Sequence, residues 1–229
     1  MQRILSVVFS IVIAGCLLFV ALTLAAMVFY PGGTLADKTT SGYSFFQNFF
    51  SDLGRTESYA GRPSPIPAVM FFLALTSAGN GLVFFFAAFP WFFVRTPSGR
   101  IFSLAGSLLG VLAGLCFIGV AFAPADLALE VHKQFVLWAF RLFPAAVFLY
   151  ALAILRDPDY PKRFALVFLA FGVLLVLYVL LLEFGPNAHM PDGMVIQATG
   201  QKIIVYASII IILIQAFGAR QARLIQGAT

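Results

Sequence analysis

The sequence predicts an all-α integral membrane protein: a bundle of six transmembrane helices with a short interfacial amphipathic helix in its first outer loop. Of its 229 residues, 62% are hydrophobic and only 10% are charged. One globular interior does not hold that much apolar surface, which includes 27 phenylalanines, so lipid must surround most of the chain. In lipid, every backbone polar group needs an internal partner, which favours helices.

Six apolar stretches are long enough to cross a bilayer, which takes roughly 20 helical residues. They cover residues 4–30, 66–94, 101–123, 131–154, 163–184 and 195–218 of a single transmembrane domain, 1–229. The first stretch is longer than the apolar region of a signal peptide, so we expect an uncleaved helix. Cys16 and Cys116 lie inside apolar stretches and indicate neither a disulfide framework nor a metal-binding spacing.

The basic residues predict the orientation of the bundle. With six spans both termini lie on one side, which holds eight basic residues and two acids. These are Arg3, Arg95, Arg100, Arg156, Lys162, Arg163, Arg220 and Arg223, with Asp157 and Asp159. The positive-inside rule therefore predicts cytoplasmic termini. The net charge of +5 reflects this topology and anionic lipid, and without a basic stripe we expect no nucleic-acid partner.

The first outer loop contains the aromatic stretch SFFQNFFSDLG, residues 44–54. Ser44 and Gln47 have the spacing of a capping box, and Gly54 stands where helices commonly end. The phenylalanines and Leu53 share one helical face, opposite Asp52. We expect a short helix on the outer surface, with Asp52 either solvated or facing the mouth of the bundle.

The third span contains small residues at regular spacing. Gly106, Gly110 and Gly114 are four residues apart, with Ser103 and Ser107 near the same face. Such a stripe lets a neighbouring backbone approach closely, so this span is expected to be the central packing helix.

Both histidines, His132 and His189, fall at outer ends of spans. Together with Asp52 they form a candidate zinc site with an open position for water. Alternatively, His132 and Asp52 act as catalytic base and acid, or His132 activates Ser51 as a nucleophile. No H-x-x-x-H or H-E-x-x-H pair fixes two ligands on one helical face, so the sequence does not decide whether the protein binds a metal cofactor. Each histidine could equally serve as a capping or hydrogen-bonding residue.

Arg141 is the deepest charged residue of the fourth span. Counted from His132 it lies roughly 13 Å inside the hydrocarbon, where a charge is costly and usually functional. It shares a helical face with Glu130 and Gln134, which predicts a polar stripe that could line a cavity. The guanidinium would bind a lipid phosphate or carboxylate. Alternatively, it serves structurally by pairing with Glu183 or with free backbone carbonyls near Pro144.

Two short segments carry a resemblance to a known family. They are FFSDLGRTES, with the turn Ser51–Gly54, and APADLALEVH, with the spacing of Pro124, Asp126 and His132. Together with the surrounding spans they resemble the bacterial and archaeal domain of unknown function 998 family. That family is loosely similar to the eukaryotic FRAG/DRAM/Sfk group, which includes a protein of glycosylphosphatidylinositol lipid remodelling. The resemblance implies six spans in a bacterial or archaeal cell membrane and lipid-related work.

The leading functional hypothesis is an outer polar pocket that binds or handles an amphipathic molecule, with a membrane lipid as the expected ligand. Its expected residues are Asp52, Asp126, Glu130, His132, Arg141, His189 and Gln201. Arg141 would hold the anionic group, and the aromatic helix would border a lateral entrance. One alternative is a membrane-embedded hydrolase or transferase. A second is a transporter of a small solute or proton, which would need a homo-oligomer because the chain has no visible inverted repeat.

Overall fold

Six helices of the computed structural model are long and apolar enough to cross a membrane, as predicted. They are α1 (Gln2–Phe29), α2 (Pro65–Ala88), α3 (Pro97–Phe122), α4 (Leu129–Arg156), α5 (Arg163–Phe184) and α6 (Pro191–Gln226). Two 3-10 helices, η1 (Phe50–Gly54) and η2 (Phe89–Phe92), complete the elements. The structure describes the backbone of residues 2–226 and the side chains of residues 3–220. Met1, residues 227–229 and the Arg223 side chain of the charge count lie outside the described residues.

Proline explains why two helices begin earlier than the apolar pattern predicts. The sequence interpretation treats Pro97 and Pro191 as connecting turn, yet each is the first residue of its helix. A first helical residue needs no N–H partner, and the fixed φ of proline suits this position. Before α3, the Thr96 side chain also accepts a hydrogen bond from the Gly99 backbone N–H at 3.2 Å, which caps the helix.

The helices alternate in direction and pack in chain order. Each helix contacts the next, and α6 also returns to α1, so the bundle closes on itself. One side of the bundle, the termini side, carries the start of α1, the end of α6 and the connections 89–96 and 157–162. The other, the loop side, carries the connections 30–64, 123–128 and 185–190.

The predicted glycine stripe of α3 makes close helix contacts. An ideal Cβ on Gly110 would lie 2.3 Å from the Phe86 ring, and one on Gly114 would lie 3.0 Å from the Gly79 carbonyl oxygen. Side chains at these positions would push α2 away. The third span is therefore packed as the sequence predicts, by helix surfaces that approach at glycine.

The termini half of the bundle is filled by aromatic rings. Tyr150 is fully buried, its ring lies 4.8 Å from that of Phe89, and its hydroxyl lies 2.5 Å from Ser107 Oγ. Phe86 and Phe168 pack around the same tyrosine. This dense core leaves the open space of the bundle in its loop half, beneath the first loop.

Candidate functional site

The aromatic stretch folds into what we call the mouth segment, residues 43–54. The predicted interfacial helix over 44–54 is not confirmed: residues 45–47 form a turn, and only Phe50–Gly54 form the 3-10 helix η1. Its aromatic residues divide between two environments, because Phe50 is buried in the bundle whereas Phe45 and Phe46 are exposed.

Side-chain hydrogen bonds replace the expected helix in the mouth segment. The fully buried Asn48 amide donates to the Gly33 carbonyl oxygen at 2.9 Å and to Asp52 Oδ2 at 3.0 Å, and its own oxygen accepts from the Ser44 N–H at 2.9 Å. Asp52 Oδ2 also accepts from the Phe49 N–H at 2.8 Å. The Asp52 side chain thus caps the N-terminus of η1. It is not solvated, since its exposed fraction is only 3%.

Burial governs the titration of Asp52. Removal from water raises the pKa of its carboxyl to about 6, although the bonds from Asn48 and Phe49 and the charges of Arg55 and Lys202 act in the opposite direction. The carboxyl therefore changes its charge near neutral pH, inside the network that holds the mouth segment.

Two consecutive residues of α6 hold the mouth segment against the bundle. Gln201 Oε1 accepts a hydrogen bond from the Phe50 N–H at 2.7 Å. The ammonium group of Lys202, a residue only 2% exposed, donates to the Asn48 carbonyl oxygen and lies 5.2 Å from the centre of the Phe45 ring. A buried ammonium ion needs such carbonyl and ring partners, so Lys202 fixes the segment electrostatically.

An apolar cavity, the inner cavity, lies beneath the mouth segment between α1, α2, α3, α4 and α6. Its empty volume is about 700 Å³, open mouth included. Its lining is dominated by aromatic and aliphatic residues, among them Phe19, Phe71, Leu82, Phe117, Phe140, Phe143, Val205 and Ile209. Polar side chains join the lining at Ser51, His132, Gln201 and Ser208. The hydroxyl of Ser208 is satisfied by the Ile204 carbonyl oxygen at 2.7 Å, so the available polar groups lie towards the loop side.

A second pocket, the outer pocket, adjoins the inner cavity on the loop side. Its empty volume is about 560 Å³, and its lining includes Gly54, Thr56 and Pro124. The two spaces share a neck of lining residues: Ser51, Phe71, Val120 and His132. The side chains of Ser51 and His132 therefore border both spaces.

The fold orients the His132 ring at the neck. Nδ1 of this buried histidine lies 2.7 Å from the Ala123 carbonyl oxygen, which can only accept a hydrogen bond, so Nδ1 carries the proton. Nε2 of the neutral ring is then free to accept a proton or hydrogen bond. Ser51 Oγ has no hydrogen-bond partner among the described side chains.

Asp126 joins the first loop to the connection before α4. Its Oδ2 accepts hydrogen bonds from Thr56 N at 2.9 Å, Thr56 Oγ1 at 2.6 Å and Glu57 N at 2.9 Å. Burial acts to raise the pKa of Asp126, but these hydrogen bonds hold it below its usual value. The residue thus positions the wall of the outer pocket and stays ionised.

Other predicted site residues lie away from the two pockets. Arg141 Nε donates to Glu183 Oε1 at 2.8 Å on the outer face of α4 and α5, and Glu130 pairs with Lys133 at 3.0 Å on the exposed surface. His189 is exposed in the connection before α6. Of the seven residues predicted for one pocket, the structure brings only His132 and Gln201 to the inner cavity.

The zinc hypothesis concerns His132, His189 and Asp52. Among residues 3–220, no three His, Cys, Asp or Glu side chains lie close enough together to hold a metal ion. A zinc site made from these residues stays a prediction, and the described geometry offers it no preformed ligand set.

Sequence reasoning missed the roles of Asn48 and Lys202. Lys202 was not proposed as a site residue, although a lysine well inside a span signals a special partner. The role of Asn48 could not be recognised from the sequence, because its hydrogen bonds to Gly33 and Asp52 form only in the folded loop.

Fold and composition together define a six-helix integral membrane protein with a loop-side cavity. Over residues 12–218 the chain matches the model of the family described as protein of unknown function (DUF998), and it belongs to that family. No curated protein and no solved structure matches the chain.

Proposed function

We propose that this protein binds and handles a membrane lipid or another amphipathic molecule in the inner cavity. The apolar chain occupies the space between Phe19, Phe140 and Val205, and the polar part lies at the neck and in the outer pocket. The observation that carries the proposal is the polarity of the inner cavity, which is apolar at depth with Ser51, His132 and Gln201 towards its loop side, where the outer pocket adjoins it. Ligand sites commonly combine an apolar lining with a few polar groups that fix orientation.

The location follows from the charge distribution. We propose that the protein lies in the cell membrane of a bacterium or archaeon with both termini in the cytoplasm, since basic residues dominate the termini side. The cavity then opens towards the extracytoplasmic leaflet.

A cavity-filling variant tests the proposal. Val205 on α6 lines the inner cavity, whereas Ile203 on the same helix is exposed to lipid. We expect Val205→Phe to lose the lipid that co-purifies with the wild-type protein in native mass spectra, because the larger ring occupies the space of the chain. Ile203→Phe, with the same added ring on the outer face, should keep it. Equal lipid retention by Val205→Phe and wild type would refute the proposal.

One observation favours a second candidate function, hydrolysis or transfer at an ester of such a lipid. Ser51 and His132 both belong to the neck, where the junction of chain and head group would lie. Ser51 Oγ would attack the ester carbonyl carbon while His132 Nε2 accepts the hydroxyl proton. The protonated imidazole would then give this proton to the departing alcohol, and water or another alcohol would release the acyl group from Ser51. Asp52, whose carboxylate is engaged within the mouth segment, would position Ser51.

A fluorophosphonate probe distinguishes the two candidate functions. If the protein is such an enzyme, the probe should label Ser51 covalently in the intact protein. This labelling should be lost in Ser51→Ala and strongly slowed in His132→Gln. Ser208→Ala is the matched control, because Ser208 also lines the inner cavity but lies outside the neck. Lipid retention without labelling of Ser51 would leave binding as the function.

A further inference from the structure

A charged patch lies on the lipid-facing surface of the bundle, outside the inner cavity. Glu130, Gln134, Trp138 and Arg141 follow one another along one stripe of α4, and all four are exposed. Such spacing places side chains on a single helical face. On α5, Glu183 joins the patch through its ion pair with Arg141.

The depth of this patch makes it unusual. Arg141 lies about 18 Å along α4 from the first residue, Leu129, at 1.5 Å per residue. Its side chain reaches back towards the loop side to Glu183, close to the end of α5 at Phe184. The ion pair therefore lies nearer the loop-side end of the bundle than the Arg141 main chain does. Exposed fractions of 43% and 28% show that neighbouring helices leave part of both side chains uncovered.

The ion pair leaves most of its hydrogen-bonding capacity unused. Arg141 uses only its Nε–H towards Glu183 Oε1, although guanidinium has five N–H donors. Among the described residues, neither terminal nitrogen of Arg141 nor Glu183 Oε2 has a hydrogen-bond partner. Unpaired polar groups are costly where lipid excludes water, so a partner from the lipid itself is favoured.

The free atoms define the charge pattern of that partner. Arg141 presents two unpaired nitrogens to a phosphate, and Glu183 presents an unpaired oxygen to a cationic donor. With Glu130 and Lys133 the patch holds two positive and two negative groups, so it has no net charge. A purely anionic head group would lie against the Glu183 carboxylate without compensation. Trp138, whose ring centre lies 5.8 Å from the Arg141 guanidinium, adds the amphipathic ring typical of the membrane interface.

We propose that Arg141 and Glu183 form a lateral binding site for the head group of a zwitterionic aminophospholipid. The lipid phosphate binds the terminal nitrogens of Arg141, and its primary ammonium group donates to Glu183. The acyl chains lie along the outer surface of α4 and α5. This site is separate from the inner cavity, because Arg141 and Glu183 belong to neither pocket lining.

Native mass spectrometry of delipidated protein tests the site with three lipids of identical acyl chains: phosphatidylethanolamine, phosphatidylcholine and phosphatidylglycerol. Wild type should bind phosphatidylethanolamine about tenfold more tightly than the other two, since one charge-assisted hydrogen bond contributes roughly that factor. Phosphatidylcholine lacks an ammonium N–H, and phosphatidylglycerol lacks the cation. Equal binding of all three by wild type would overturn the proposal.

Single variants assign the two halves of the head group. Arg141→Gln should weaken binding of phosphatidylethanolamine by about tenfold, the loss expected for a charge-assisted phosphate contact. Glu183→Gln should lose the preference for phosphatidylethanolamine and bind phosphatidylglycerol as well, because the phosphate contact remains. Glu183→Gln also tests the site if Arg141→Gln fails to fold. The amide oxygen of the new glutamine can still accept a hydrogen bond from Arg141 Nε, so the contact between α4 and α5 is kept.

Two controls separate this site from other surfaces. Lys38→Gln removes an exposed cation of the first loop, outside the patch, and it should keep the wild-type preference. Val205→Phe fills the inner cavity and should also keep it. Loss of the preference in Val205→Phe, or wild-type binding by Arg141→Gln, would overturn the lateral site.

Discussion

Lys202 on α6 donates a hydrogen bond to the main-chain carbonyl oxygen of Asn48 in the mouth segment. The adjacent Gln201 accepts from the Phe50 N–H at 2.7 Å, so two consecutive side chains hold the cover of the inner cavity. The cavity is thus closed by contacts between distant parts of the chain, and its access depends on how firmly they hold.

Loss of the Gln201 contact should loosen the mouth segment. We expect amide hydrogen exchange in peptides that cover Phe50 to become roughly fivefold faster in Gln201→Leu, because a net hydrogen bond contributes about 1 kcal/mol. Gln215→Leu is the matched control. It removes another buried glutamine of α6, whose amide donates to Phe164 far from the mouth segment. Unchanged exchange at Phe50 in Gln201→Leu would show that Gln201 does not hold the segment.

The raised pKa of Asp52 predicts a pH-dependent stability. Because its pKa rises from 3.8 to about 6 on folding, the folded protein binds this proton more tightly than the unfolded chain. The resulting stabilisation is full below about pH 4 and is lost as pH rises through 6, in total roughly 3 kcal/mol. The midpoint of thermal unfolding in detergent should therefore fall between pH 5 and pH 8, and Asp52→Asn should reduce this fall.

Asp126→Asn provides the control for this pH dependence. The pKa of Asp126 is lowered, so its contribution is lost only as pH falls through that low value, and the variant should keep the wild-type fall between pH 5 and pH 8. An equal fall in Asp52→Asn and wild type would mean that Asp52 does not titrate in this range.

The sequence predicted the six helices because lipid imposes one solution on long apolar stretches. The first residues of α3 and α6 were not predicted correctly, because Pro97 and Pro191 were interpreted as turn residues. Local patterning predicted a helix in the mouth segment, but the Asp52 carboxylate accepts a hydrogen bond from the Phe49 N–H, and Gln201 of α6 accepts one from the Phe50 N–H. Gln201 and Phe50 lie far apart in the sequence, so a local pattern does not predict this contact.

The candidate site shows the same division between local and distant information. The position of Arg141 within the fourth span follows from counting residues, so it was predictable. Its direction was not, because the helical stripe that carries it can face either lipid or a cavity. His132 was predicted by residue type, whereas its place with Ser51 in the same pocket linings depends on the packing of η1 in the folded protein.

Gly110 should tolerate no larger side chain. Its missing Cβ leaves room for the Phe86 ring, and an added one would lie 2.3 Å from that ring. We expect Gly110→Val to destabilise the protein by about 1–3 kcal/mol or more, since overpacking forces α2 and α3 apart. The measurement is the midpoint of thermal unfolding in detergent. Ala105→Val on the exposed face of α3 should unfold like wild type, and an equal midpoint for Gly110→Val would contradict the tight contact.

The predicted orientation can be measured by cysteine labelling in intact cells. Lys38 is exposed on the loop side and Asp159 on the termini side. If the positive-inside rule governs this chain, Lys38→Cys should react with a membrane-impermeant maleimide in intact cells, whereas Asp159→Cys should react only after lysis. Wild type is the background control, because Cys16 and Cys116 lie within α1 and α3 and should stay unlabelled. The reverse pattern would place the mouth segment, the inner cavity and the lateral site in the cytoplasmic leaflet, since all three lie in the loop half of the bundle.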